Sequence, residues 1–443
     1  MRMIRKITGL FVVFAVAAAC DDSDDRANAH EHDTLQAHDR SLPADHDHAP
    51  AGDQDSGAST DRRHEVETGG AQDHDHPPAI TPADAGSAPP DGSVAGGFTW
   101  DLPSGFPRPI VPADNPMSDA KVELGRHLFY DKRLSDNGTF ACATCHKQAL
   151  AFADERAVGL GSTGQMHTRG AMSLANVAYS PTLTWANPLV TELEQQSAVP
   201  IFGDMPVELG MHSVGQVEER FRAVPRYKEL FARAFPDEAE PITMLNVERG
   251  LASFERTLLS GNSAYDRYVN DGDENALSES AKRGMIFVTS NEDHRFECNH
   301  CHGEFNFSDH VVWEGLETLG AKPPYHQTGL YDIDGKGGYP APNRGVYETS
   351  LDPEDMGKYK APTLRNIALT APYMHDGSIA TLSEVLDHYS KGGRAHRTGR
   401  TDPLLQPFPI TEADKADIIA FLESLTDEDF IRDERFSDPW PSE

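Results

Sequence analysis

Apolar residues recur every three or four positions along several stretches of this chain, which is the spacing of one buried helix face. The spacing is clear at residues 247–259 and 411–425, and in two stretches that begin at Ser118 and Ser278, each a suitable helix N-cap. The alternation typical of a half-buried strand is scarce, and the Gly- and Pro-rich residues 320–345 are predicted to form loops. The pattern therefore predicts a mainly α protein.

A Cys-x-x-Cys-His run follows each of the two Ser-capped stretches, at residues 142–146 and 298–302. This is the spacing of c-type haem attachment, in which two thiols bond the porphyrin and the adjacent histidine ligates the iron. A zinc site built from all four thiolates is the alternative, but it leaves both histidines without a role. The sequence therefore predicts two covalently bound haem c groups, held by Cys142, Cys145, His146, Cys298, Cys301 and His302.

The folded part of the chain carries an internal duplication. In each half a capped helical stretch is followed by a haem motif and then by a Phe-containing segment that ends in aspartate, at residues 151–154 and 305–309. The duplication predicts two cytochrome c-like helical domains, each holding one haem. We place the N-terminal haem domain at residues 96–265 and the C-terminal haem domain at 266–443.

The first twenty residues resemble an export signal. Three basic residues precede an apolar run at residues 7–19, which is too short to span a bilayer. The run ends in small residues before Cys20, so that residues 1–20 are predicted to be a lipoprotein signal with Cys20 as the lipid-bearing N-terminus. An ordinary cleaved signal peptide is the alternative. Both interpretations predict a periplasmic or cell-envelope protein, and the lipid would be its membrane anchor.

Residues 21–95 are predicted to be a disordered, acidic tether. This segment has 18 Asp and Glu against four Arg, eight His and almost no large apolar residues. A His/Asp tract can collect Cu(II), Zn(II) or Ni(II), and a simple solvated tether is the alternative. With a formal net charge of −32 for the whole chain, nucleic acid is not an expected partner.

Further motifs between residues 107 and 440 are specific. They are Asn-Val-Ala-Tyr at 176–179, Lys-Ala-Pro-Thr-Leu-Arg-Asn at 360–366 and Thr-Ala-Pro-Tyr-Met-His-Asp-Gly at 370–377. With both haem motifs in order, this region resembles the bacterial dihaem cytochrome c peroxidases and MauG. Stretches at 111–116, 183–188 and 206–210 are most similar to the MbnH-like members.

The resemblance implies that the N-terminal haem is the peroxide site. Its distal pocket would contain Gln196 and Glu208, and Trp185 would lie between the haems as an electron relay. Cleavage of an O–O bond needs a group that moves a proton between the two oxygens, which a positioned carboxylate can do. Glu208 is therefore the expected acid/base, and Gln196 is expected to orient peroxide or a water.

The second haem distinguishes the subfamilies. In the peroxidases its sixth ligand is a Met lying fourteen residues after the His of Pro-Tyr-x-His, and here that spacing leads from His375 to Tyr389. MauG and MbnH have Tyr at this place, and a phenolate ligand favours oxidised over ferrous iron. His388 and Met374 are competing ligands, and a packed helix residue is the remaining interpretation of Tyr389.

Two positions depart from the family pattern. Many relatives have Arg-Asn where this chain has Arg169-Gly170, so that an expected calcium ligand is missing; one calcium ion remains possible on the backbone carbonyls of Thr370 and Pro372. The peroxidases also place a mobile distal His before this Arg. His167 is closer to Arg169 than that residue, and we expect it to face solvent rather than the pocket.

These observations lead to one main functional hypothesis and two alternatives. The first is a peroxide-dependent dihaem oxidase that forms a shared high-valent state and oxidises an aromatic residue, Trp to kynurenine, of an MbnP-like partner protein. The second is a cytochrome c peroxidase that reduces hydrogen peroxide with electrons from a small cytochrome c or cupredoxin. The third is a non-enzymatic electron carrier, which would need a strong ligand such as His167 on the first haem.

Overall fold

The computed structural model describes residues 98–290, 296–316 and 323–440, and in these ranges the regular structure is helical. β-Bridges occur there only as isolated pairs, so the predicted mainly α class is confirmed. The predicted signal peptide (1–20) and tether (21–95) lie outside the described residues. The helices are α1 (Asp119–Phe129), α2 (Cys142–Cys145), α3 (Leu193–Gln196), α4 (Ala198–Phe202), α5 (Val214–Arg222), α6 (Pro225–Ala234), α7 (Met244–Glu255), α8 (Ala264–Asn270), α9 (Glu279–Thr289), α10 (Tyr347–Ser350), α11 (Leu382–Ser390) and α12 (Glu412–Ser424).

Side-chain caps begin the four helices that carry the core. The Oγ of Ser118 accepts from Lys121 N at 3.3 Å, and the Oγ of Ser278 accepts from Ala281 N at 3.1 Å, so both predicted N-caps are confirmed. Thr243 caps α7 in the same way, and Thr411 starts α12 with a full capping box. Residues 323–345 contain no helix, as predicted for this Gly- and Pro-rich stretch.

Two close helix pairs repeat the sequence duplication in three dimensions. Helix α1 packs on α7, and α9 packs on α12. Each crossing depends on a glycine: a Cβ at Gly125 would lie 1.9 Å from Gly250 O, and a Cβ at Gly284 would lie 1.9 Å from Asp417 O. We call the pair of helices α1 and α7, together with the first haem motif, the first repeat. The pair α9 and α12, together with the second haem motif, is the second repeat.

An asparagine in the left-handed conformation occupies the same place in each repeat. Asn176 has φ 61° and Asn366 has φ 60°, and each precedes a short 3₁₀ helix. The backbone N–H of Asn176 donates to Leu258 O at 2.8 Å, just after α7, and that of Asn366 donates to Leu425 O at 3.0 Å, just after α12. The two repeats therefore share a backbone plan as well as motif order.

The repeats meet in a buried polar seam. The Asp427 carboxylate accepts from the backbone amides of Gly261 and Asn262 at 3.0 and 2.9 Å, and Asn366 Oδ1 accepts from Asp427 N at 2.8 Å. Buried groups paired in this way avoid the desolvation penalty of an unsatisfied polar atom. The predicted domain boundary between residues 265 and 266 stays a prediction.

The C-terminal segment returns to the first repeat. Phe430 and Phe436 are buried in the apolar core of that repeat, and Trp440 packs against it. Trp440 Nε1 donates to His127 O at 3.0 Å, and the hydroxyl of Tyr130 donates to Phe436 O at 2.7 Å. Within the described ranges no helix is long and apolar enough to cross a membrane.

Candidate haem site

One large cavity connects the two Cys-x-x-Cys-His motifs. Its volume is about 1080 Å³, and its lining includes the four motif cysteines and both motif histidines. Pockets for single small molecules are typically roughly 300–1,000 Å³. This cavity slightly exceeds that range and has both motifs in its lining, as a site for two large flat cofactors requires.

Both motif histidines are oriented by a backbone carbonyl. His146 Nδ1 lies 2.8 Å from Phe152 O, and His302 Nδ1 lies 3.1 Å from Phe307 O. Both phenylalanines have left-handed φ values, 60° and 49°, within the segments that follow the motifs. A hydrogen bond at Nδ1 fixes the tautomer and leaves Nε2 available as a metal ligand. Burial also lowers the pKa of both imidazoles, which favours the neutral form that binds iron.

The four motif thiols are free and held in apolar surroundings. Burial raises the pKa of Cys142, and it raises that of Cys298 to about 12, so both are thiols at neutral pH. Among the described residues the four sulfur atoms do not gather as one set of metal ligands; the group that does is Cys301, Asp309 and His326. The four-thiolate zinc alternative is therefore wrong, and the residues present fit haem attachment.

The predicted distal residues lie on the first-repeat side of the cavity. Gln196 at the end of α3 and Glu208 both line it. Glu208 Oε1 is 3.6 Å from His167 Nε2, and His167 lines the cavity too. The expectation that His167 faces solvent is wrong, because the turn from Gly159 to Arg169 folds back through His167 N–H to Gly159 O at 2.7 Å.

Burial shifts the protonation of this pair in opposite directions. It raises the pKa of Glu208 above its usual value, since a carboxylate loses hydration in the cavity. Burial, and then the nearby Arg169, lowers the pKa of His167. The raised pKa makes the Glu208 carboxylate a stronger base, so that it can take a proton from one peroxide oxygen and return it to the other.

Trp185 connects the loops that follow the two haem motifs. It lines the cavity, and its Nε1 donates to Gly170 O at 2.8 Å. The N–H of Gly170 donates in turn to His375 O at 2.9 Å. The indole is thus tied to the first-repeat loop, which itself bonds the Pro-Tyr-Met-His motif; its place between the two haems stays a prediction.

Tyr389 on α11 lines the second-repeat side of the cavity. Burial, and then the neighbouring Cys301 and Cys298, raises the pKa of its phenol. Met374 lines the cavity as well. His388 does not line it, and its Nε2 is 2.9 Å from Thr328 O. The geometry therefore leaves Tyr389 and Met374 as candidate ligands.

Two buried ionisable residues of the cavity were missed in the sequence. Glu255 on α7 lines the cavity near Cys142, and burial raises its pKa to about 8. Lys360 Nζ donates to Ser180 Oγ at 3.0 Å and to Thr182 O at 2.9 Å, and burial lowers its pKa to about 7. Two features of the sequence could have indicated them: a charged residue within the apolar face at 247–259, and the lysine that begins the 360–366 motif.

The proposed calcium ligands lie beside the same cavity. Thr370 and Pro372 both line it, and the Thr370 hydroxyl donates to Ile367 O at 3.1 Å. Calcium accepts backbone carbonyl oxygens, but it binds six to eight oxygens in total. The calcium ion stays a prediction.

Comparison with known proteins identifies the family. The sequence profile described as di-haem cytochrome c peroxidase matches residues 119–275, and a RoxA-like, cytochrome c-like profile matches 357–393. MauG of Methylorubrum extorquens is 36% identical over 71% of this chain and 80% of that protein. The chain belongs to the di-haem cytochrome c peroxidase/MauG family. Its fold, its enzymatic class as a dihaem oxidoreductase and its haem cofactors follow from this membership.

Other members of the family are also similar. The cytochrome-c peroxidase IdrP1 of Pseudomonas sp. (strain SCT) is 35% identical over 71% of this chain and 83% of that protein. A crystal structure described as a MauG-like protein associated with microbial copper homeostasis is 47% identical, with a TM-score of 0.74, over 78% of this chain and 100% of that one. The family's members are enzymes, so the alternative of a non-enzymatic electron carrier is wrong.

Proposed function

We propose that this family member is a peroxide-dependent dihaem oxidase that draws electrons over a long distance from an aromatic residue of a partner protein. The observation that carries the proposal is the Tyr389 phenol, which lines the cavity near Cys298 and Cys301 of the second haem motif. A phenolate is a hard anionic donor and stabilises oxidised iron, whereas a Met thioether stabilises the ferrous form. The second haem of this chain is thus suited to store an oxidising equivalent.

Bound at these residues, the two haems supply peroxide cleavage and storage of two oxidising equivalents. Glu208 is the acid/base: its carboxylate takes a proton from the near oxygen of peroxide and returns it to the leaving oxygen. His167, whose Nε2 is 3.6 Å from the Glu208 carboxyl, lines the same part of the cavity. Gln196 orients the peroxide through its side-chain amide.

Trp185 carries electrons between the two haem positions. Its indole is fixed by the Gly170 hydrogen bond, so it keeps one orientation on the shared wall. The substrate residue does not enter the cavity, because electrons reach it through the protein. This explains why the site needs a partner protein rather than a small-molecule pocket.

The structure of the copper-homeostasis relative supports the nature of the partner. At 47% identity it is a close match in sequence, and its description connects it with copper. We propose an MbnP-like protein whose Trp is converted to kynurenine as the substrate. We also propose residues 1–20 as a lipoprotein signal, 21–95 as a tether with its eight His, a periplasmic or cell-envelope location, and one calcium ion at Thr370 and Pro372.

The test uses the diferric protein and stoichiometric hydrogen peroxide without any reductant. Visible, near-infrared and EPR spectra follow both haems at once. If both ferric signals disappear together and a near-infrared charge-resonance band appears, the two haems share the oxidation. If the protein does not react until one haem is reduced, the proposal is wrong. The Tyr389→Met variant is the matched control, since it should require that prior reduction.

A cytochrome c peroxidase with a small cytochrome c or cupredoxin as electron donor is the second candidate. Two observations favour it: Met374 lines the same cavity as Tyr389, and IdrP1, at 35% identity, is named a cytochrome-c peroxidase. Steady turnover of peroxide with reduced cytochrome c would support it. A Met374→Leu variant that keeps its ferric second-haem spectrum would exclude Met374 as the ligand.

A further inference from the structure

Three tyrosine rings in contact connect the wall of the haem cavity with the protein surface. Tyr359 lines the cavity, and its ring centroid is 6.3 Å from that of Tyr339. The centroids of Tyr339 and Tyr331 are 5.4 Å apart. Aromatic pairs in proteins have centroids roughly 4.5–7 Å apart, so the three rings form a continuous series. Tyr359 and Tyr339 are buried, whereas Tyr331 is partly exposed.

The inner end of this series adjoins the inter-haem wall. The ring of Tyr359 stacks on that of His375 with centroids 3.8 Å apart and planes 11° apart. His375 O accepts from the N–H of Gly170, whose own carbonyl accepts from Trp185 Nε1. Tyr359 therefore lies against the same segment that fixes the indole between the haem positions.

The outer end has a proton acceptor. The Tyr331 hydroxyl donates to Asp376 Oδ2 at 2.5 Å, and the N–H of Ser378 donates to the other carboxylate oxygen at 3.1 Å. Burial, and then this carboxylate, raises the pKa of Tyr331 to about 12, so the phenol keeps its proton at neutral pH. A neutral phenol that loses an electron must also lose its proton, and a carboxylate within hydrogen-bond distance receives it.

The two inner tyrosines are bonded differently. The Tyr339 oxygen accepts from Leu330 N at 2.9 Å, and the Tyr359 oxygen accepts from Gly345 N at 3.1 Å. Backbone amides are donors and cannot take up a phenolic proton. An electron vacancy in the series is therefore most stable on Tyr331, at the surface.

We propose that Tyr359, Tyr339 and Tyr331 carry electrons from a docked protein to the haems, with Asp376 as the proton acceptor. This inference rests on the function proposed above. An electron leaves Tyr331 through Tyr339 and Tyr359 to the oxidised haem pair, while the phenolic proton moves to Asp376 Oδ2. The neutral Tyr331 radical then takes an electron from an aromatic residue of the docked protein and recovers its proton from Asp376.

Two electrons pass along the tyrosine series, one after the other, for each molecule of hydrogen peroxide. Hydrogen peroxide takes up two electrons and two protons and yields two molecules of water. For each peroxide, the aromatic residue of the docked protein loses two electrons. Conversion of Trp to kynurenine therefore uses two peroxides: Trp loses four electrons, takes two oxygen atoms from water and releases four protons to give N-formylkynurenine, whose hydrolysis gives kynurenine and formate. The docking face is centred on Tyr331, next to Ile333, whose surface is 64% exposed.

The experiment treats the full-length dihaem protein with stoichiometric hydrogen peroxide, without reductant or partner, in the presence of a nitroso spin trap. Visible spectra report haem oxidation and its decay, and peptide mass mapping reports where the trapped radical lies. In the wild type we expect the adduct on Tyr331. In Tyr331→Phe and Asp376→Asn we expect the oxidised state to form normally but to decay at least about tenfold more slowly, equivalent to about 1.4 kcal/mol of barrier.

Tyr339→Phe interrupts the series while keeping its ring, and it should remove the Tyr331 adduct. Tyr347→Phe is the matched control, because Tyr347, like Tyr331, is partly exposed and has an arginine over its ring. Arg344 lies 5.1 Å from the ring centroid of Tyr347, and Arg394 lies 5.9 Å from that of Tyr331, but Tyr347 is outside the series. An adduct elsewhere in the wild type, or unchanged decay in Tyr331→Phe, overturns the relay and leaves the proposed function intact. Absence of haem oxidation in the wild type overturns both.

Discussion

Replacing Gly284 by alanine is a sharp test of the helix crossing that forms the wall of the second haem position. The new Cβ would lie 1.9 Å from Asp417 O, on the backbone of α12. Non-bonded heavy atoms need roughly 3.5 Å, so α9 and α12 would have to move roughly 1.5 Å apart. Residues from both helices, Val288, Ile418 and Leu422, line the cavity, so the haem environment would change with the crossing.

Two effects of opposite sign decide the stability of this variant. Alanine is favoured over glycine in a helix by about 1 kcal/mol. Overpacking a close-packed core costs about 1–3 kcal/mol, and a clash with backbone lies at the upper end, because no side chain can turn aside. We therefore expect Gly284→Ala to lower the free energy of unfolding by about 2 kcal/mol, measured by denaturant titration of the haem protein.

The chain supplies its own controls. Gly215 in α5 has open space around its Cβ position, so Gly215→Ala should be neutral or slightly stabilising. Gly125→Ala should be destabilising like Gly284→Ala, but with the spectral change at the first haem. If Gly284→Ala were as stable as Gly215→Ala, with an unchanged EPR spectrum of the second haem, the close crossing would be refuted.

Three further predictions concern the cavity. Because the pKa of Glu208 is raised above 4.5, the rate of haem oxidation by peroxide should rise with pH through that higher pKa. In the Glu208→Gln variant, stopped-flow spectra should show haem oxidation that is slower by roughly 10²-fold or more and does not depend on pH in this way. Tyr389→Phe should keep both covalent haems by mass spectrometry yet lose the near-infrared band, whereas retention of the band would exclude the phenolate. The pKa of Glu255 is about 8 in the folded protein, compared with an ordinary value of 4.5. Its contribution to the free energy of unfolding is therefore complete below pH 4.5 and falls by about 5 kcal/mol as the pH rises to about 8. Glu255→Gln should remove this loss in pH-dependent urea titrations, and parallel curves for both proteins would contradict the prediction.

The sequence was sufficient to predict the features that depend on residues close together in the chain. Ser118 and Ser278 cap helices because their hydroxyls reach amides three residues away, and the haem motifs depend on fixed spacing within five residues. The glycines of the two helix crossings stood in corresponding places of the duplication, yet their purpose depends on which helix packs above them.

The sequence could not predict which ionisable side chains are buried by segments distant in the chain. Lys360 and Glu255 owe their shifted pKa values to segments distant in the chain, and His167 faces the cavity because its loop folds back on Gly159. The tyrosine series lies in a stretch without helical or strand periodicity. Tyr331 and Tyr359 are 28 positions apart, and only the fold shows that they belong to one path.

The C-terminal segment makes the core of the first repeat depend on residues that come late in the chain. Phe430, Phe436 and Trp440 complete the core of the first repeat, although they follow the second haem motif in the chain. Between 284 and 294 residues separate the end of the first haem motif, His146, from Phe430 and Trp440, which complete the core of its repeat. The core of the first repeat can therefore be completed only after residues 430–440 have been made, long after its haem motif.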